Sequence, residues 1–173
     1  MRSFVYQMKN IIIISATSGN NLELAKKISD LIDCKFQIIS LEDYELPLYT
    51  GKLVLKDKSI INKLCEKIID ADGFIFCGPE YNGSSAPILT NAITWISVTT
   101  DYWKDAFLNK PGLVATHSGG NGDSFIYTFS HQLKFLGVTV YPASIKVNKR
   151  KVFNVESAKK IIKDFQNQIL IMR

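Results

Sequence analysis

The chain is poor in the residues that staple small folds together. It has three cysteines and two histidines among 173 residues. Cys34, Cys65 and Cys77 show no C-x-x-C spacing and accompany no paired histidines. That pattern argues against a disulfide framework or a metal site, and for buried thiols in a reducing, cytoplasmic setting. Long hydrophobic runs are missing too. The longest pure one, Ile11 to Ile14, falls far short of the roughly 20 residues that a membrane-spanning helix needs. Residues Met1 to Asn10 include Arg2 and Lys9 but no apolar stretch of the kind that marks a secretory signal. With Met8 standing just ahead of the first apolar run, residues 1–9 are expected to be an extension outside the fold. The chain is expected to make one domain, 1–173.

What is present reads as an ordinary globular chain: 46% hydrophobic and 21% charged residues, with a net charge of +5. The basic residues are scattered over Lys26-Lys27, Lys56-Lys58, Lys149-Arg150-Lys151 and Lys159-Lys160. A solvated lysine-rich surface explains them better than a nucleic-acid interface.

Apolar spacing alternates between strand and helix along the chain. Ile11 to Ile14, Phe36 to Ile39, Phe74 to Cys77, Leu113 to Thr116 and a short Val138 to Val140 read as strands. Helical spacing joins Leu22 to Ile32, Ile60 to Ile68, Ile88 to Ile96, Phe125 to Leu136 and Ala158 to Met172. Glu42 to Lys58, with Pro47 and Gly51, reads as a surface loop. Strands alternating with helices predict a doubly wound α/β fold, a five-stranded parallel sheet with helices on both faces. Such sheets bind ligands beyond the carboxyl ends of their strands, where strand order reverses. The loops after the first, third and fourth strands are therefore the ones to read for chemistry.

The first, Ser15-Ala16-Thr17-Ser18-Gly19-Asn20-Asn21, passes from strand to helix through small hydroxyl, amide and glycine residues. Backbone N–H groups at such a helix start can converge on an anion. The loop has neither the lysine of a phosphate-binding GxxxxGK[ST] motif nor a GxGxxG pattern. A terminal monophosphate suits it better than a triphosphate, and a plain Ser/Asn helix cap explains it equally well. The second segment runs Gly78-Pro79-Glu80-Tyr81-Asn82-Gly83-Ser84-Ser85-Ala86-Pro87, followed by Asn91-Ala92-Ile93 and Trp95. The third is His117-Ser118-Gly119-Gly120, which is open to reading as a flexible glycine turn.

The second segment resembles the NADPH-dependent FMN reductase family, which includes quinone, azo-dye and chromate reductases. Its mark there is Pro-Glu-Tyr-Asn after the third strand, then a proline and an Asn-Ala-Ile-Asp-Trp-like helix; Thr94 stands here where the family often has aspartate. The resemblance implies a flavodoxin-like fold with strand order 2-1-3-4-5, and FMN as cofactor with NADPH or NADH as co-substrate. It further implies that Pro79, Glu80, Tyr81, Asn82 and Gly83 edge the flavin ring, with Glu80 a structural carboxylate. Ser15, Thr17, Ser18, Gly19, Asn20 and Asn21 would then hold the phosphate, and His117, Ser118, Gly119 and Gly120 would approach the flavin from the third loop. The arginine that the family uses in the first loop is absent, and the loop leans toward the Thr-Gly-Asn-Thr style of flavodoxins.

No side chain is required as a catalyst, because the flavin carries the redox chemistry. The leading expectation is a reductase serving quinone, azo, nitro or metal-oxyanion acceptors or free flavin, and forming a homodimer or homotetramer. A flavodoxin-type single-electron carrier and a non-catalytic scaffold remain the alternatives. Tyr102 and Trp103 are candidates for an interface, an acceptor pocket or ordinary core packing.

Overall fold

The β-branched run at Ile11–Ile14 favours extended backbone, and it forms the heart of the central strand. The structure, a computed structural model, describes residues 9–172. Strand β1 (Asn10–Ser15) pairs in parallel with β2 (Lys35–Ser40) on one side and β3 (Gly73–Cys77) on the other. Two short strands, β4 (Glu80–Tyr81) and β5 (Ser84–Ser85), form a separate hairpin. The main sheet continues through β6 (Pro111–His117) to β7 (Thr139–Val147), giving the order β2-β1-β3-β6-β7 with every pairing parallel. Counting main-sheet strands alone, this is the expected flavodoxin-like order 2-1-3-4-5, whose direction reverses beside β1.

Both faces of the sheet are covered. Ile12 and Ile14 of β1, with Phe74 and Phe76 of β3, pack against α2 (Ser59–Ile69), α3 (Pro87–Thr99) and α4 (Asp123–Phe135). Their neighbours Ile11, Ile13 and Ile75 point the other way, onto α1 (Asn20–Ser29) and α5 (Val155–Ile171). Strand alternation thus divides one apolar run between two cores. Helix α2 ends where Lys110 Nζ donates to the carbonyls of Ile68 at 2.9 Å and Ile69 at 2.6 Å, a cation on the carbonyls of the helix's last turn. Burial pushes the pKa of that amine down to about 8.

The sequence reading misses three features. The fifth strand is far longer than Val138 to Val140, running on to Val147. Its register shifts between Gly112 and Val114 of β6, and the irregularity accommodates Pro142 on an edge strand that needs no outward N–H. The hairpin β4–β5 turns on Asn82 (φ 51°) and Gly83 (φ 70°), successive left-handed residues of the kind that close two-residue hairpins. The loop over Glu42 to Lys58 is fastened at several points. It opens with a short 3₁₀ turn, Leu41–Asp43, and Leu46, Tyr49 and Leu55 pack on the core. The expected extension lies outside the described residues except for Lys9, whose Nζ is 2.9 Å from the Asp72 carboxylate.

Phe129 packs edge-on against Phe76 at 5.1 Å and stacks on Phe125 at 5.4 Å, with no exposure to solvent. Phe129→Ala is expected to cost about 3–5 kcal/mol, whereas Tyr127→Ala, on a side chain 77% exposed, should stay within about 0.5 kcal/mol. Urea unfolding of the two variants checks the difference.

Candidate functional site

Helix α1 begins without a side-chain cap. Gly19 stands at its N-cap position, and only its carbonyl is used locally, accepting from Leu22 and Glu23 at 3.0 and 3.2 Å. The first N–H groups of a helix lack partners within the helix and carry its positive dipole end. Here they face a cavity of about 430 Å³ lined by Thr17, Ser18, Gly19, Asn20 and Asn21 on one side. One donor of the loop is already engaged: Ser18 N–H donates to Glu42 Oε2 at 2.6 Å. The Ser18 hydroxyl and that N–H together hold the Glu42 carboxyl below the usual carboxylate range.

The other two loops form the opposite wall and are welded to each other. Glu80 N–H donates to the Ser118 hydroxyl at 2.8 Å, and that hydroxyl lies 2.7 Å from the Thr116 hydroxyl. The Glu80 carboxylate turns away from the cavity's chemistry. Its Oε2 accepts from the N–H groups of Ser124 at 2.9 Å and Phe125 at 3.3 Å, capping α4 from a distant loop. Just before that helix, Gly122 has φ 72°, and a Cβ there would stand 2.5 Å from Thr116 Cγ2. Asn21, 2% exposed, ties the first loop to the third: its Oδ1 accepts from His117 N–H at 2.8 Å and its Nδ2 donates to His117 carbonyl at 3.0 Å.

The structure therefore brings most of the expected residues to one cavity. Thr17, Ser18, Gly19, Asn20, Asn21, Pro79, Glu80, Tyr81, His117, Ser118 and Gly119 line it. Ser15 does not; it is buried and its hydroxyl donates to the Thr17 carbonyl at 2.7 Å, shaping the loop from beneath. Asn82 and Gly83 form the hairpin turn, and Gly120 follows the lining residues, its carbonyl accepting from Asn148 Nδ2 at 3.1 Å. Pro79 has no N–H, that of Glu80 is engaged by Ser118, and Tyr81 pairs with Ser84 in the hairpin, so this segment presents its side chains and carbonyls rather than free backbone donors.

Two lining residues, Glu42 and Lys149, escape the sequence reading. Glu42 follows β2 directly, and Lys149 follows β7, so each sits at the carboxyl end of a strand, where that rule applies to every loop. The Asn91…Trp95 pair has a clear structural task. Asn91 Nδ2 and Trp95 Nε1, one helical turn apart, both donate to the Pro47 carbonyl, at 3.0 and 2.7 Å, while Asn91 Oδ1 accepts from Tyr49 N–H at 2.8 Å. Tyr102 and Trp103 precede β6, with the Trp103 ring tilted against Phe135 at 5.4 Å, toward the end of the sheet opposite the cavity.

Comparison with known proteins gives the same picture. Residues 8–151 match the NADPH-dependent FMN reductase family. The chain belongs to that family. A Bacillus sp. NADPH azoreductase is 30% identical over 116 residues, 65% of this chain and 61% of that relative, so the match spans about three fifths of its length. A Burkholderia sp. 2-hydroxy-1,4-benzoquinone reductase is 26% identical over 134 residues, covering 77% of this chain and 69% of that protein. In fold, the flavoenzyme NAD(P)H:(acceptor) oxidoreductase FerB from Paracoccus denitrificans aligns with a TM-score of 0.74 at 20% identity, over 95% of this chain and 97% of that one.

This FMN reductase family member has a donor set that fits the family's cofactor. The uncapped start of α1 suits a monophosphate, and the side chains of Thr17 and Asn20 have no hydrogen-bond partner among the described residues. At Gly19 and Gly119 a Cβ would meet no atom within 4 Å, which leaves room beside both walls. The cavity's volume lies within the range of small-molecule and cofactor sites.

Because Asn21 joins the two walls through a single amide, Asn21→Ala should leave the half-buried His117 backbone without these partners at about 1–3 kcal/mol. Asn20→Ala, on the exposed side, should cost less than about 0.5 kcal/mol. Thermal unfolding of both variants tests whether the bridge matters.

Proposed function

We propose that this chain, as one domain over residues 1–173, is an FMN-dependent NAD(P)H oxidoreductase that reduces small acceptors of the quinone and azo classes. The observation that carries the reading is the uncapped α1 N-terminus opening on a cavity whose far wall is the Pro79–Tyr81 segment, in a chain of this family. The relatives named as an azoreductase and a benzoquinone reductase support those acceptor classes.

Bound in this cavity, FMN would supply two-electron redox chemistry between the nicotinamide and the acceptor. The protein's own part is to hold and orient. Backbone N–H groups at Gly19, Asn20 and Asn21, with the hydroxyls of Thr17 and Ser18, take the phosphate end. Tyr81, His117 and Gly119 border the ring end. Lys149 supplies a cation on the lining, answering for the arginine that the first loop lacks. Glu80 acts as the cap of α4 and moves no proton.

A single-electron carrier is less well supported, since the family and the relatives' names are those of reductases and the net charge is +5. The cytoplasm is the setting that three free cysteines favour, and no helix among the described residues is long and apolar enough to cross a membrane. A homodimer or homotetramer follows from the family's habit. Exposed Leu53, Val54 and Val98, which line one surface depression with Trp95, are the self-association face we assign.

Ser18→Glu and Asn20→Glu should each lose FMN by placing a carboxylate against its phosphate, and with it NADPH oxidation by a quinone. The wild type should show the parallel-line kinetics of one site serving two substrates in turn. Undiminished flavin content in both variants would remove the phosphate end from this loop.

A further inference from the structure

The cradle at the start of α1 contains an acid that the chain itself supplies. A loop that takes a phosphate through neutral donors has few of them to give up, yet Ser18 N–H is held at 2.6 Å by Glu42 Oε2. Glu42 also lines the cavity, opposite no arginine and with Lys149 as the one lysine or arginine on the lining. A carboxylate oxygen on a backbone N–H at a helix start stands where a phosphate oxygen would stand. The two anions therefore compete for one donor, and they repel each other at short range.

We propose that Glu42 sets the flavin specificity of this site: by occupying the Ser18 N–H and placing a negative charge in the cradle, it weakens the grip on the phosphate and lets the site discriminate little between FMN and unphosphorylated riboflavin. The inference rests on the flavin reading given above and deepens it. Recognition then falls mainly on the ring, through the wall formed by Tyr81, His117 and Gly119, which does not depend on the phosphate. A flavin held this way exchanges with solution. No residue of the first loop is itself anionic, and the other acid on the lining, Glu80, is spent on capping α4, so removal of the Glu42 charge tests the idea cleanly.

Glu42→Gln is the informative change, because the amide oxygen can still accept from Ser18 N–H and keep the loop in place while the charge is gone. The experiment is equilibrium titration of wild type, Glu42→Gln and Glu42→Ala with FMN and with riboflavin, followed by flavin fluorescence. FMN affinity should rise roughly tenfold in both variants, an effect of the size expected for removing a neighbouring like charge, with riboflavin affinity unchanged. Wild type should bind the two flavins with affinities within about tenfold of each other. Equal FMN affinity in wild type and Glu42→Gln overturns the proposal while leaving the flavin site standing. Weaker FMN binding in both variants also overturns it, since Glu42 would then be a support that the phosphate needs. If no variant binds either flavin, the flavin reading itself falls and the proposal with it.

Discussion

The start of α1 has backbone donors and no side-chain cap, and the rest of the site is arranged around that unmet need. A helix N-terminus left open to a cavity must find an acceptor in solvent, in the protein or in a ligand. In this fold it cannot drift to find one. β1 ends in the sheet's centre, bonded to β2 and β3 on either side, so Ser15 to Asn21 emerges at a fixed place. Asn21 then locks the loop to the end of β6 through both atoms of its amide.

The same logic explains why residues that look chemical turn out to be structural. Glu80 lies in the segment most characteristic of the family, yet its carboxylate caps α4 and its N–H holds Ser118. Asn91 and Trp95 grip the Pro47 carbonyl and so fix the loop that follows β2. Glu42 sits in the turn that opens that loop. Much of what marks the family in sequence therefore positions three loops against one another, and the groups left free to meet a ligand are backbone donors, small hydroxyls and a few rings.

The fold was legible because its signals are local and periodic. Runs such as Ile11–Ile14 and Phe74–Cys77 can only be buried strands, and their alternation with amphipathic helices dictates a parallel sheet. The last strand was harder. Its mixed exposure and Pro142 mimic a loop, and only the irregular pairing with β6 shows how the strand continues past it. At the site, the loops after the first, third and fourth strands were readable from their small residues. Glu42 and Lys149 were not, because each is an ordinary charged residue whose meaning comes from the cavity it faces. Ser15 belonged to the loop in sequence but lies beneath it in space.

The central claim is that the cavity between these loops holds FMN in a form that a nicotinamide can reduce. Anaerobic titration of the FMN-loaded protein with NADPH, and separately with NADH, tests it most directly. The account predicts that the yellow flavin absorbance bleaches in a single two-electron step with at least one nicotinamide, and returns when a quinone is added. Protein that binds FMN but stays yellow with both nicotinamides would contradict it.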